Sequence, residues 1–374
     1  MSGAPTLTDG TVILRAHRPE DAQGSWEQCQ DPLSQAWTTV PIPYSMDDAR
    51  EYVSETMPRG WADDSEWNFA IEADGRYAGS VSLRNEGDGR AELAYGSHPW
   101  VRGTGYVERA LRLMVEWGFA DRDLDTIIWW ANKGNWASRK VAWRLGFTFE
   151  GTLRRWLPQR GELRDAWVAT LQRDDPREPR SAWLVCPMLE SGRIRLRPWR
   201  HSDAERVVEA CSDERTAYWL GRMPSPYTLQ DAHDYIETRT EVLAAADGIG
   251  WAVADRDSDL LLASLGLFDL QPGVAAELGY WTHPAARGRG VMSEAVALAL
   301  RHAFTGSDSG GLGLRLVSVM AAEENLASRR VAEVNGFRHW GIERLGTTTR
   351  DGPVDVARYD LTAEEFTARS PAAG

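Results

Sequence analysis

His98-Pro99-Trp100-Val101-Arg102-Gly103-Thr104-Gly105-Tyr106 returns further down the same chain as His283-Pro284-Ala285-Ala286-Arg287-Gly288-Arg289-Gly290-Val291. Each stretch leads into a helical pattern, then an Asn-x-x-Ser, then a Gly-Phe: Asn135, Ser138, Gly146 and Phe147 in one copy, Asn325, Ser328, Gly336 and Phe337 in the other. The agreement extends outward. Arg15 to Asp21 matches Arg197 to Asp203, Tyr44 to Tyr52 matches Tyr227 to Tyr235, and Arg160-Gly161 with Asp165 matches Asp351-Gly352 with Asp355. The offset between copies grows only from about 182 to about 190 residues, so one domain has been duplicated with few insertions.

The bulk composition agrees with two globular domains. A chain of 374 residues with 43% hydrophobic and 26% charged residues can bury two cores. No apolar run is long enough to span a bilayer, and the N-terminus lacks the basic and apolar regions of a leader, so the expectation is a cytoplasmic protein without membrane contact. A formal charge of −13 opposes a nucleic-acid partner, which needs a basic field, and suits a cationic substrate such as an amine. The three cysteines, Cys29, Cys186 and Cys211, have neither disulfide-framework nor metal-ligand spacing.

The expected boundaries are residues 1–174, a linker at 175–187 containing Asp175-Pro176-Arg177-Glu178-Pro179-Arg180, and residues 188–374. Strands are expected at 81–83, 91–95 and 126–130, and at 193–197, 261–265, 276–281 and 315–320. Helices are expected at 107–119 and 292–304, with a second helix opening at Ala137 or Ala327. A hairpin turning near Gly161 or Gly352 closes each copy. Strands alternating with helices indicate an α/β (α+β) sandwich.

Strand, glycine-rich turn and helix together make an anion site. Unpaired N–H groups at a helix start face the anion, and glycines let the backbone approach closely. Neither copy has the third glycine of a dinucleotide-binding turn. The ordered set of motifs, including Glu277-Leu278-Gly279-Tyr280-Trp281 before His-Pro, resembles the GNAT superfamily of acyl-CoA-dependent N-acyltransferases. The branch it resembles contains ribosomal-protein N-terminal acetyltransferases and some aminoglycoside acetyltransferases.

The resemblance implies two GNAT domains in tandem, each a mixed, V-splayed, largely antiparallel sheet flanked by helices and split between its fourth and fifth strands. The co-substrate would be acetyl-CoA or another acyl-CoA, with no metal. Its pantetheine arm would lie along Leu278, Gly279, Tyr280 and Trp281, and its pyrophosphate on Arg287, Gly288, Arg289, Gly290, Val291 and Met292, with Asn325 as an anchor. Glu277 would serve as general base, directly or through water, and Ser328 as general acid toward the thiolate. A weaker second site would comprise Glu92, Arg102, Gly103, Gly105, Asn135 and Ser138. Many relatives use a tyrosine acid four positions before the Gly of Gly-Phe; here that position is Ala332 or Ala142.

The chemistry supports these residue types. An ammonium must lose a proton before attack, a departing thiolate benefits from a donor, and the developing oxyanion needs an N–H. Structural readings stand beside them: Glu277 as a strand carboxylate paired with an arginine, and Ser328 as a helix N-cap. The copies differ at Thr104 against Arg289 and at Glu108 against Ser293. A carboxylate in the first helical turn repels phosphate, so donor binding is assigned to the C-terminal copy.

Trp129, Trp130, Trp136, Trp143 and Trp156 are read either as core or as an apolar tunnel for a long acyl chain or hydrophobic peptide. The expected acceptor is an amine-bearing small molecule or peptide, in natural-product tailoring or resistance. Its specificity is placed in the segment 219–227 and the final hairpin. An acyl carrier protein as donor, and a non-catalytic acyl-CoA sensor or scaffold, are the alternatives.

Overall fold

Alternating apolar and basic residues at Ile194-Arg195-Leu196-Arg197 make a strand whose last side chain is buried, not exposed. Arg197 is 2% exposed and its guanidinium forms two 2.8 Å bonds to Asp203. Arg15 and Asp21 repeat this fork in the first copy. A buried arginine is tolerable only when paired in this way. The pair fastens this strand to the 3-10 turn that starts the helical layer.

The computed structural model describes residues 4–369. The chain divides into two units, residues 1–180 and 181–374. The stretch 175–187 is not a bare tether. Arg177 lies over Phe119 in the first unit, whereas Leu184 N donates to Leu243 O and Cys186 joins the core of the second.

The first unit has strands β1 (Leu7–Thr8), β2 (Val12–Arg15), β3 (Glu66–Ala73), β4 (Arg76–Gly87), β5 (Arg90–Ser97), β6 (Thr126–Asn132), β7 (Thr148–Gln159) and β8 (Glu162–Gln172). They form one sheet in the order β1-β2-β3-β4-β5-β6-β8-β7. The second unit has β9 (Leu189–Glu190), β10 (Ile194–Arg197), β11 (Ile249–Asp255), β12 (Leu261–Gln271), β13 (Ala275–Thr282), β14 (Leu316–Ala322), β15 (Arg338–Thr349) and β16 (Gly352–Thr362). Their order is β9-β10-β11-β12-β13-β14-β16-β15. The neighbours are antiparallel except β5–β6 and β13–β14, which the intervening helices Tyr106–Asp121 and Val291–Phe304 make parallel. Each sheet is therefore mixed, as expected.

The parallel junction is where each sheet opens. β13 pairs with β14 only from Ala275–Leu316 to Leu278–Val319, while β14 stays on β16 through Ala322. The backbone of Gly279–Thr282 is thus left without a strand on that side. β5 and β6 separate in the same way after Leu93–Trp129. The short edge strands β1 and β9 shift the count, so the split falls between the fifth and sixth strands, not the fourth and fifth.

One face of each sheet carries the core. Ala295, Val296, Ala299, Leu300 and Ala303 recur at helical spacing on Val291–Phe304 and pack with Ala276, Leu278, Val317 and Val319. Each fully buried valine or leucine among these contributes about 1.5–3 kcal/mol and each alanine less. On the other face of the second sheet lies helix Leu229–Ala245. In the first unit the corresponding segment, Met46–Ala62, is interrupted by a π turn at Tyr52–Thr56. Among the described residues no helix is long and apolar enough to cross a membrane.

Candidate functional site

The glycine turn is held from outside. His283 Nδ1 accepts from Ala285 N at 3.1 Å and starts the turn Pro284–Ala286. Gly288 and Gly290 have φ of +71° and +74°, which L side chains rarely adopt, and no atom lies within 3.8 Å of where a Cβ would stand. Gly290 is the N-cap of helix Val291–Phe304 and supplies no side chain. The first N–H groups of that helix therefore receive no side-chain cap, as an anion-binding helix start requires. Arg289 is exposed beside them.

Arg287, expected at the pyrophosphate, is not a free cation. Its guanidinium is paired with Asp213 and donates to Thr216 Oγ1 at 2.6 Å. The Arg287 hydrogen bond holds the Asp213 carboxyl below its ordinary range. Asp213 also N-caps helix Glu214–Trp219, so the pair ties the glycine turn to that helix. Arg102 and Asp31 repeat the arrangement. In the first unit Thr104 Oγ1 further accepts from Tyr106 N at 3.3 Å, occupying a group that the C-terminal copy leaves open. Glu108 is there, but it is neutralised by Arg112 at 3.0 Å and Arg144 at 3.5 Å.

The open strand carries two faces. On the core face, Tyr280 Oη donates toward Ser328 O and lies 3.0 Å from both that oxygen and Ser328 Oγ. Burial pushes the Tyr280 hydroxyl up to about 12, partly offset by Ser328, so it keeps its proton at neutral pH. Asn325, not Ser328, is the N-cap: its Oδ1 accepts from Ser328 N at 3.2 Å. Ser328 Oγ is thereby released from capping and turned toward Tyr280. The first unit has the same contacts, with Asn135 capping and Tyr95 Oη 2.6 Å from Ser138 Oγ.

On the opposite face Glu277 lies in register with Phe268 and Ser318. Arg358 Nη1 stands 3.4 Å from its Oε2, both side chains being about one quarter exposed. Burial raises the Glu277 pKa and Arg358 only partly opposes this. The carboxylate is both paired with an arginine and proton-hungry, a combination suited to taking a proton near neutral pH.

Further along this face is a cavity of about 640 Å³. Its walls include Gly279, Tyr280 and Trp281 of the open strand, Tyr235 of helix Leu229–Ala245, and Met320 of β14. The loop 219–224 and hairpin residues 346–348 close it, joined where Arg350 N donates to Tyr218 O at 3.0 Å. The structure thus brings the segment 219–227 and the final hairpin to one place. Glu277 is not among the lining residues.

The first unit fills the corresponding positions. Its register partner of Glu92 is Arg84 where Glu277 has Phe268, and Arg84 pairs with Glu92 at 3.1 Å and Glu66 at 3.5 Å. Burial raises the Glu92 pKa, and Arg84 lowers it. One residue beyond the last parallel pair stands Trp130 in β6 but Met320 in β14. One residue beyond the hairpin bulge stands Trp156, where the second unit has Gly346. Trp130 and Trp156 stack at 6.0 Å over this face.

A family model described as acetyltransferase (GNAT) domain matches the chain twice, at residues 11–148 and 193–338, together more than half its length. The chain belongs to the GNAT acetyltransferase family. YoaA, an uncharacterized N-acetyltransferase of Bacillus subtilis (strain 168), is 26% identical over 176 residues, covering 47% of this chain and 96% of the relative. The spermidine N(1)-acetyltransferase of Escherichia coli (strain K12) is 33% identical over 106 residues, 28% of this chain and 57% of that protein. Among solved structures, a GCN5-related N-acetyltransferase from Brucella melitensis is similar over 50% of this chain and 83% of its own, at 25% identity and a TM-score of 0.43.

Within this tandem GNAT enzyme the tryptophan cluster is divided between the two faces of the sheet. Trp129 is 1% exposed in the core, and Trp136 packs on Trp167 with ring centres 4.5 Å apart. Trp130 and Trp156 lie on the opposite face, as strand alternation requires. The GNAT copies also hold residues that the sequence reading passed over. Arg358 and Phe268 are set beside Glu277 only by strand register. The sequence reading gave the N-cap to Ser328, whereas Asn325 holds it, accepting from Ser328 N three residues on.

Proposed function

We propose that the C-terminal unit carries the working site, moving an acetyl or longer acyl group from acyl-CoA to the primary amine of a small molecule or peptide. One observation carries this: the unpaired edge Gly279–Thr282 abuts a cavity in the second unit, whereas Arg84, Trp130 and Trp156 occupy the matching positions of the first.

The residues fit an acyl-CoA donor. The bare turn at Gly288 and Gly290 and the N–H groups of Val291 and Met292 would hold its pyrophosphate, with Arg289 as the free charge. Leu278, Gly279, Tyr280 and Trp281 offer strand backbone to its pantetheine arm. Bound there, the donor supplies a thioester carbonyl and a thiol leaving group. Glu277, directly or through water, accepts the proton that the ammonium sheds before its nitrogen bonds to the acyl carbon. Ser328 Oγ, aimed by Tyr280, gives a proton to sulfur as the C–S bond breaks and recovers one from the new amide nitrogen. Asn325 acts by capping the helix that presents Ser328, and so anchors the loop beside the donor.

The test is acyl transfer to an amine panel followed by intact mass, with Glu277→Gln and Glu92→Gln compared. Loss of transfer in Glu277→Gln alone is the expected result. Loss in Glu92→Gln alone would move the site to the first unit. Transfer from an acyl carrier protein but not from acyl-CoA would replace the donor.

A further inference from the structure

The cavity beside the open strand is built on a row of glycines. Gly250, Gly266 and Gly279 are register partners across β11, β12 and β13. A Cβ on Gly266 would lie 2.4 Å from Phe268 Cζ, and one on Gly279 would lie 3.1 Å from Phe268 Cε2. The Phe268 ring therefore lies flat on the sheet, where any side chain would lift it. Over Gly250 the Arg239 stem takes the same space, 2.8 Å from a would-be Cβ, and its guanidinium stacks on Tyr235 at 4.7 Å and Phe268 at 5.4 Å. The first unit has Asn68, Ser82 and Ala94 in these register positions and no such floor.

From the row of glycines and the rings above it we infer that the acceptor is a primary amine carried on an aromatic or comparably bulky apolar body. This rests on the C-terminal unit being the working site. Phe268 supplies a ring-faced floor, and Trp219, Tyr227, Tyr235 and Trp281 stand around it. Aromatic walls reward a flat apolar body and can also face an ammonium. They offer little to an aminosugar, whose many hydroxyls would be desolvated against mainly apolar walls. The charged lining is balanced: Asp231, Asp234 and Arg239 stand on one helix and Arg222 on the loop before it. Arg239 is already committed to the two rings. An extended polyamine would bring several charges to this balanced, ring-walled space and leave most of it unfilled. A free arylalkylamine and the N-terminal residue of a peptide present the same chemistry.

Acetylation of tryptamine, of the peptide Trp-Gly-Gly, of spermidine and of kanamycin is compared on the full chain by intact mass and by thiol release. The inference expects tryptamine or the peptide to exceed both polar amines at least tenfold in kcat/KM, and the better of the two identifies the source. Met320→Trp, which places in the second unit the residue found at that position in the first, lowers this value at least tenfold and leaves acetyl-CoA binding unchanged. Met320 is 38% exposed, so the larger ring does not overfill a core. Preference for spermidine or kanamycin overturns the inference, as does a Met320→Trp effect below twofold. If the protein does not bind acetyl-CoA, the reading of the working site fails separately. Calorimetric binding of tryptamine to the wild type and to Met320→Trp then still decides the acceptor class: tenfold weaker binding in the variant supports it, and equal or absent binding sinks it.

Discussion

Replacing Tyr280 by Phe removes one oxygen and two 3.0 Å contacts, to Ser328 O and Ser328 Oγ. A net hydrogen bond is worth about 0.5–1.5 kcal/mol, so the C-terminal unit should lose about 1–2 kcal/mol. For a unit of this size that is a Tm decrease of about 2–8 °C. If the contact aims Ser328 Oγ at sulfur, kcat falls much further, by about 10²-fold, equivalent to about 2.7 kcal/mol in the barrier. The KM for acetyl-CoA stays within about twofold, because the strand backbone is unchanged. Tyr95→Phe is the matched control, since Tyr95 stands 2.6 Å from Ser138 Oγ. It should lower the first unit's stability to a similar degree and leave kcat alone. Calorimetry and steady-state thiol release on both variants separate the effects. A Tyr280→Phe kcat within threefold of wild type, or an equal loss in Tyr95→Phe, would refute the positioning argument.

The remaining predictions concern protons, ion pairs and the stacked tryptophans. Burial raises the Glu277 pKa, and a base must be ionised, so kcat/KM should fall as pH drops through a limb above the ordinary carboxylate range. Glu277→Gln should remove that limb, and its persistence would exclude Glu277 as its source. The same raised pKa means Glu277 weakens the fold as pH rises through it, so the Gln variant should be at least as stable as wild type at pH 8. Breaking the buried forks should cost about 3–5 kcal/mol each, with Asp203→Ala lowering only the second unit's unfolding transition and Asp21→Ala only the first's. For Asp21, burial pushes the pKa up, but Arg15 and the Arg18 N–H outweigh it and leave it lowered. Its stabilisation is complete above the usual carboxylate range and is lost as pH falls through the depressed value, which an acid unfolding series of Asp21→Asn would show by its reduced slope. Trp156 is 55% exposed and belongs to the first unit, so Trp156→Ala should change stability by less than about 1 kcal/mol and acyl transfer by less than twofold.

What the sequence made legible was local. The strand-turn-helix at residues 275–304 reads directly from alternation, two glycines and a 3.6-residue apolar period, and duplication doubles the signal. The His-Pro and Asn-x-x-Ser motifs were visible as motifs but not as what they do, which is to cap turns and helix starts. The rest depends on register between distant strands. Gly250, Gly266 and Gly279 look unrelated until β11, β12 and β13 align them, and Glu277 meets Arg358 across 81 positions. Trp129 and Trp130 are adjacent in sequence, yet alternation sends one to the core and the other to the open face. The pairing of Arg287 was hidden because its partner Asp213 lies 74 positions away.

The central claim is one working donor site, in the C-terminal unit. Native mass spectrometry of the full chain titrated with acetyl-CoA counts it directly. The account predicts one bound equivalent, lost in Arg289→Glu and retained in Thr104→Glu. Two equivalents, or one that is lost only in Thr104→Glu, would contradict it.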